Sequence, residues 1–166
     1  MDKFKEQLVL IENTNLYKMV KVITIIFLIL GVAIMALGGA IPGLILLISA
    51  IVMFYMKRYL YVEYEYILTN GDIDIDAIYE IKARKRVISF NLKDITLLAP
   101  KNSKEYKDLY DKPSKIIKPI PKGVEQKIYI AVISKGINRV QLEFVPNKEF
   151  IDLCFLYNPK AVKKNV

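Results

Sequence analysis

From Val22 to Met56 the chain carries no charged residue. Few constraints on a fold are stronger, because so long an uncharged apolar run must be buried in a core or in lipid. One glycine-rich break divides it. The first arm, Val22 to Leu37, would extend about 24 Å as a helix, at ~1.5 Å per residue. Gly38-Gly39-Ala40-Ile41-Pro42-Gly43 follows, where glycines end one helix and proline is tolerated in the first turn of the next. The second arm, Leu44 to Met56, runs into Lys57, Arg58 and Tyr59. A single helix over both arms would far exceed a bilayer, so residues 18–58 read as a transmembrane helical hairpin. Because both arms are short, a hairpin that dips into the membrane without crossing is one alternative. A cleaved signal sequence ending near Gly38 is another, although a second apolar run starts at once.

The flanks give an orientation. Lys18, Lys21, Lys57 and Arg58 sit at the open end, and the tip has no charge. Basic residues stay on the cytoplasmic side, so both termini are expected there, in a multi-pass protein of the cell membrane. Gly39 and Gly43 form a GxxxG pattern, read here as loop chemistry and not as a dimer face. Residues 1–17 read as a cytoplasmic N-terminal segment.

Beyond the hairpin the composition becomes that of a globular domain. The net charge is +8, and from Lys57 onward there are 21 basic against 14 acidic residues. Excess Lys and Arg beside membrane helices, facing an anionic inner leaflet, accounts for this without nucleic acid. The chain has no histidine and a single cysteine, Cys154. That excludes an internal disulfide, Ser-His-Asp and Cys-His nucleophiles, and histidine-ligated metals. No phosphate-binding glycine loop or nucleophile elbow occurs.

Tyr61 to Thr69 alternates, with Val62, Tyr64, Tyr66 and Leu68 on one face and Glu63, Glu65 and Ile67 on the other. Asn70-Gly71 is a hairpin turn, and Asp72 to Ile81 alternates again. Lys82 to Arg86 reads as the basic turn into a third strand, Val87 to Leu92, and Asp94 to Ala99 as a fourth. Lys101 to Gln126 is rich in lysine and proline and reads as a long mobile loop, with a short helical turn near Tyr106 to Tyr110. Strands over Lys127 to Ser134 and Asn138 to Phe144 flank a turn at Lys135-Gly136. Pro146-Asn147 opens a helix in which Phe150, Leu153, Cys154 and Tyr157 form an apolar stripe, closed by Asn158-Pro159. Residues 159–166 read as a frayed basic tail.

The predicted fold class is α+β: a transmembrane helical hairpin followed by an antiparallel β-sheet domain over residues 59–158, with a C-terminal helix. This order of elements resembles the bacterial pleckstrin-homology-like (PH-like) domains, in which a C-terminal helix plugs a bent sheet. At the level of residues, Glu63 to Tyr66, Asn70 to Asp76, Arg84 to Arg86 and Leu98 to Pro100 carry a closer likeness. They resemble the EYEY strand, NGELDID-type hairpin, KRKR-type cluster and LAP segment of a family of two-helix membrane proteins from Gram-positive anaerobes, a domain of unknown function. Asp72 stands where that family usually has glutamate. The resemblance implies architecture and topology and assigns no functional residue.

Asp72, Asp74 and Asp76 share a strand face, as a hard-cation site would require. The pattern is no EF-hand, since Ala77 and Ala83 occupy the positions of the invariant glycine and the bidentate glutamate, and no metal is expected. The Asn70-Gly71 turn instead sets Glu65 against Asp76, an unfavourable pair that Arg84 and Arg86 could neutralise. Candidate contacts for anionic lipid are Lys57, Arg58, Lys82, Arg84, Lys85 and Arg86. Expected partners are the bilayer, its anionic headgroups or an unidentified protein, with no cofactor. The function expected is non-enzymatic binding or scaffolding at the membrane. An accessory subunit of a larger membrane complex and a carboxylate-based enzyme are the alternatives.

Overall fold

The structure is a computed structural model and describes residues 3–107, 113, 115–135 and 138–164. It comprises two units, a helical one over Ile11–Val62 and a sheet unit formed by Met1–Leu10 with Glu63–Val166. Thus the helical unit is an insertion in the sheet unit. A strand β1 (Phe4–Val9) precedes helices α1 (Asn15–Ala36) and α2 (Ala40–Met56), and strand β2 (Val62–Thr69) follows them.

Both helices are long and apolar enough to cross a membrane. α1 starts seven residues before Val22, so its 22 residues extend about 33 Å. α2 continues through a 3-10 turn, Lys57–Leu60. The sequence expectation of short arms counted only uncharged residues, whereas Lys18 and Lys21 lie inside α1. α1 ends at Gly38 (φ +89°), and the Gly39 N–H donates to the Ile34 carbonyl at 2.9 Å. The helices pack through Gly31 and Gly43. A Cβ on Gly43 would lie 2.8 Å from the Gly31 carbonyl oxygen and 2.3 Å from Met35 Cγ. Gly43 therefore serves packing within the hairpin. The hydroxyls of Thr24 and Ser49 donate to Val20 and Ile45 on their own helices, at 2.7 and 2.8 Å. Ile25, Ile29, Val32, Ile45 and Val52 remain exposed. At the open end Lys57 lies over the rings of Tyr17 and Phe54, and Tyr17 meets Tyr61 edge-on at 5.3 Å.

The first sheet has the order β1-β2-β3-β4, with β3 spanning Asp72–Tyr79 and β4 Ala83–Asn91. β1 corrects the reading of residues 1–17 as a plain segment. It pairs antiparallel with β2 from Phe4↔Thr69 to Val9↔Tyr64. Its signal is weak because its inward positions are Lys5, Gln7 and Val9, two of them polar. Gln7 donates to the Val145 carbonyl at 2.9 Å and accepts from the Asn147 N–H at 2.7 Å, and Lys5 pairs with Glu149. Hydrophobic periodicity cannot register such a strand.

The second sheet runs β5-β7-β8-β6, built from Ile95–Pro100, Tyr129–Lys135, Asn138–Phe144 and Lys115–Ile117. β6 is parallel to β8, so the domain is not wholly antiparallel. Gly136 lies outside the described residues. Helix α4 (Lys148–Tyr157) is capped by Asn147, whose side chain accepts from the Phe150 N–H at 2.8 Å. One core joins both sheets and α4, centred on Tyr66, Phe144 and Phe150, which meet edge to face. Cys154 is buried in it, and burial pushes its thiol up to about 12.

Two further readings are corrected. The basic tail is tied down through residue 164. Ala161 and Val162 are buried, and the backbone around Val162 bonds Leu98 in β5. The segment 101–126 is organised in its described parts by a short helix α3 (Lys104–Lys107), by β6, and by the Tyr66 hydroxyl, which donates to the Pro119 carbonyl at 2.6 Å. Residues 108–110 of the expected helical turn lie outside the described residues. Composition suggested a long mobile loop. Its lysines instead cover polar groups on the outer face of the second sheet. Buried Glu143 takes Lys101 Nζ at 2.9 Å and Lys118 Nζ at 3.4 Å.

That arrangement gives a pH dependence. Burial raises the Glu143 carboxyl, but the hydrogen bond and charge of Lys101, with those of Lys118, outweigh it and hold the pKa below the usual range. A depressed carboxylate pKa stabilises the fold above the unfolded value of about 4.3 and ceases to do so as pH falls through the folded value. Glu143→Gln is expected to cost about 1 kcal/mol at pH 7 in urea unfolding of the detergent-solubilised chain. The difference should vanish at more acid pH. A loss independent of pH would contradict the ion-pair account.

Candidate functional site

The two ends of the first sheet differ in chemistry, and topology sets which is which. β1 leaves at Val9 beside Tyr64, near the start of β2. The whole helical unit is thus inserted where β1 and β2 would otherwise be joined by a turn. β2 leads to the Asn70-Gly71 turn at the opposite end, with φ of +51° and +94°. β3 returns, and the β3–β4 turn, Tyr79–Lys82, lies at the end where the chain departs for the helices and comes back.

This second turn is tighter than the sequence suggested. Its central residues are Glu80 and Ile81, and the Lys82 N–H donates to the Tyr79 carbonyl at 3.0 Å. Both adopt left-handed backbone, φ +49° and +61°. For a β-branched residue that conformation is costly, and such strain clusters at functional positions. Ile81 is 71% exposed at the tip. A lone isoleucine between Glu80 and Lys82 carries no sequence signal, so it was not among the predicted site residues. Lys82 closes the turn and is exposed, while Arg84, Lys85 and Arg86 belong to β4.

A bulge divides those three side chains. Ile75 opposes Ile88, but Asp76 opposes Arg86, so Val87 is the extra residue. Paired residues share a face, and the bulge reverses the phase of β4 beyond it. Arg84 and Arg86 therefore point outward. Arg84 meets Glu65 at 2.9 Å, and Arg86 meets Asp74 at 2.6 Å and also Asp76. The cations expected to relieve the Glu65–Asp76 repulsion are thus in place. Burial still pushes the Glu65 carboxyl above its usual range, with Arg84 pulling it down and Glu6 and Asp76 adding to the rise. Asp72 accepts from the Asn91 amide at 2.6 Å. The three aspartates are thus engaged with Asn91 and Arg86.

Lys85 takes the other direction. It opposes Ala77 on the inner face, at the open end between the sheets. There a pocket of about 390 Å³ is lined by Tyr64, Tyr79, Lys85, Arg86, Ile117 and Lys118, among others. No carboxylate pairs with Lys85 among the described residues. Burial, and secondarily the neighbouring Tyr79, raise the Tyr64 phenol, which stays a protonated donor. Lys57 and Arg58 belong to the helical unit, where Lys57 stacks on Tyr17 and Phe54, and Arg58 on Tyr59. Of the six predicted contacts, Lys82 and Lys85 carry no ion pair among the described residues, and the two arginines of β4 are committed to carboxylates.

Two sheets around one core with a C-terminal helix packed into it, and two apolar helices inserted between the first strands, define a PH-like domain. The chain belongs to the bacterial PH-like domain family DUF6106, whose pattern it matches over residues 1–164. No curated protein and no solved structure matches it.

Proposed function

We propose that the protein is a membrane-anchored, non-enzymatic binding module that holds its PH-like domain at the inner leaflet. The inserted hairpin anchors it there, and the β3–β4 turn touches anionic lipid. The observation that carries this reading is positional. The exposed Ile81, with Lys82 beside it, sits at the same end of the sheet as both connections to the helices. Those connections are short: Val9 is followed by α1 from Asn15, and the turn Lys57–Leu60 is followed by Val62. An apolar tip with Glu80 on one side and Lys82 on the other, followed by the basic run Arg84 to Arg86, suits the boundary between headgroups and acyl chains, where each Lys or Arg near an anionic surface contributes about 1 kcal/mol. The exposed aliphatic faces of α1 and α2 have the composition lipid requires, with their hydroxyls satisfied internally.

The test places a fluorophore on Ile81→Cys in the full chain, reconstituted into vesicles containing nitroxide-labelled lipid. Quenching is expected in anionic vesicles, with loss at high salt, and a label on Lys93→Cys, at the opposite end of the sheet, should remain bright. Equal quenching at both positions, or no dependence on lipid charge, would refute the reading.

A further inference from the structure

We propose that the protein self-associates head to tail in the membrane, the acidic outer face of the first sheet of one copy receiving the basic outer side of the second sheet of the next. This goes beyond the reading above and rests on it for the anchoring of every copy in one bilayer.

Strand phase builds the first face. The outward positions of β1, β2 and β3 include Glu6, Glu63, Glu65, Asp72, Asp74 and Asp76, and β4 answers these carboxylates with Arg84 and Arg86. A chain of net charge +8 thus presents a negative face. Apolar side chains accompany it: Phe4 and Leu8, outward on β1, are 59% and 48% exposed. An anionic leaflet repels such a face. A metal ion finds its place taken, since Arg86 pairs with both Asp74 and Asp76, and Arg84 pairs with Glu65. A surface that is cationic and partly apolar fits it.

The chain carries such a surface on the opposite side of the sheet unit. One core joins the two sheets, so their outer faces look away from each other. Segment 101–126 holds seven lysines against four acidic residues. Tyr106 of α3 packs on Leu97, Ala99, Ile130 and Val132 of the second sheet, which sets the exposed Lys104 on that side. Ile116 of β6 shares the face of Gln141 and is 50% exposed, and Lys118 reaches the same face at Glu143. Contact between opposite faces is heterologous and repeats as a ring or an open chain. Copies in one bilayer share an orientation to it, so rotation about the membrane normal relates neighbours. Four strands at ~4.8 Å spacing, each of about eight residues at ~3.3 Å, cover roughly 500 Å² per partner. A stable complex in solution buries about 800 Å² per partner. The contact is therefore weak in dilute detergent and depends on the local concentration that a shared membrane gives.

The test uses the full chain with Ala40→Cys, labelled with donor or acceptor and reconstituted into phosphatidylcholine vesicles. Flotation first checks anchoring; a chain that does not float with the vesicles would refute the anchoring on which the contact depends. In floated vesicles, energy transfer should exceed the level of random neighbours and fall at high salt, since exposed charges are screened over ~8 Å at physiological ionic strength. An acid-reversed variant carries Glu6→Lys and Asp72→Lys, and a base-reversed variant Lys104→Glu and Ile116→Glu. Each alone should associate roughly tenfold more weakly, because like charges then face each other. Mixing donor-labelled acid-reversed chains with acceptor-labelled base-reversed chains should restore transfer, since every face again meets its opposite. Thermal unfolding checks each variant, and Glu6→Lys paired with Lys104→Glu, both at exposed positions, gives the same contrast at smaller amplitude if a double variant is unfolded. Wild-type transfer at the random level would overturn the contact while leaving the anchor intact. Undiminished transfer in either reversed variant, or a mixture of folded variants no better than its components, would overturn it equally.

Discussion

Deleting residues 1–10 should destabilise the sheet domain by about 4 kcal/mol, whereas replacing residues 11–61 with a short glycine-serine linker should leave it folded and soluble without detergent. The first half follows from what β1 contributes. Val9 is 3% exposed, and burial of a valine side chain is worth about 1.5–3 kcal/mol. Gln7 makes two hydrogen bonds to the start of α4, and Lys3 exchanges two with Asn70; each is worth about 1 kcal/mol net. Domains of this size have a stability of about 5–15 kcal/mol, so the loss is a large fraction of the total. The second half follows from the register. Val9 and Tyr64 are paired, so their backbones already stand one strand spacing apart, and a tight loop can join them. Circular dichroism melting of the two variants measures both. A spliced chain that fails to fold, beside a deletion variant that melts like the full chain, would contradict the inserted topology.

The same contrast explains what could be read in the sequence. The Asn70-Gly71 hairpin, the alternation of Tyr64, Tyr66 and Leu68, and the Asn147 cap were legible because each is a local signal. β1 was not, because its inward residues satisfy polar groups 140 positions away, such as the Asn147 N–H taken by Gln7. Segment 101–126 looked like a loop for a related reason. Its lysines are useful only against Glu143, and nothing near them in the sequence announces a buried carboxylate. In the candidate site, the pairing of Arg84 and Arg86 with the acidic hairpin was readable because the Asn70-Gly71 turn sets Glu65 against Asp76, a repulsion that nearby cations relieve. The inward turn of Lys85 depends on a one-residue bulge, which residue type alone does not specify. Ile81 was invisible because its significance lies in a backbone conformation, φ +61°, and in its position at one end of the sheet.

The second large effect concerns topology, where the expected outcome is all or none. The open end of the hairpin carries Lys18, Lys21, Lys57 and Arg58, and the turn Leu37–Gly39 carries no charge. Lysine and arginine are retained on the cytoplasmic side, and a mean tilt of about 20° lets helices of this length span the hydrocarbon core. β1 and β2 flank the helices in sequence and pair with each other, so both connections to the helices leave the sheet unit at one end. Cys154 gives a quiet background, since burial pushes its thiol up to about 12 and only the thiolate reacts. The decisive measurement is labelling of intact cells by a membrane-impermeant maleimide, with a cysteine introduced at Ala40 or at Lys160. Ala40→Cys should label in intact cells, and Lys160→Cys only after permeabilisation. Labelling of Lys160→Cys in intact cells, with Ala40→Cys protected, would place the domain on the outer face and contradict the account.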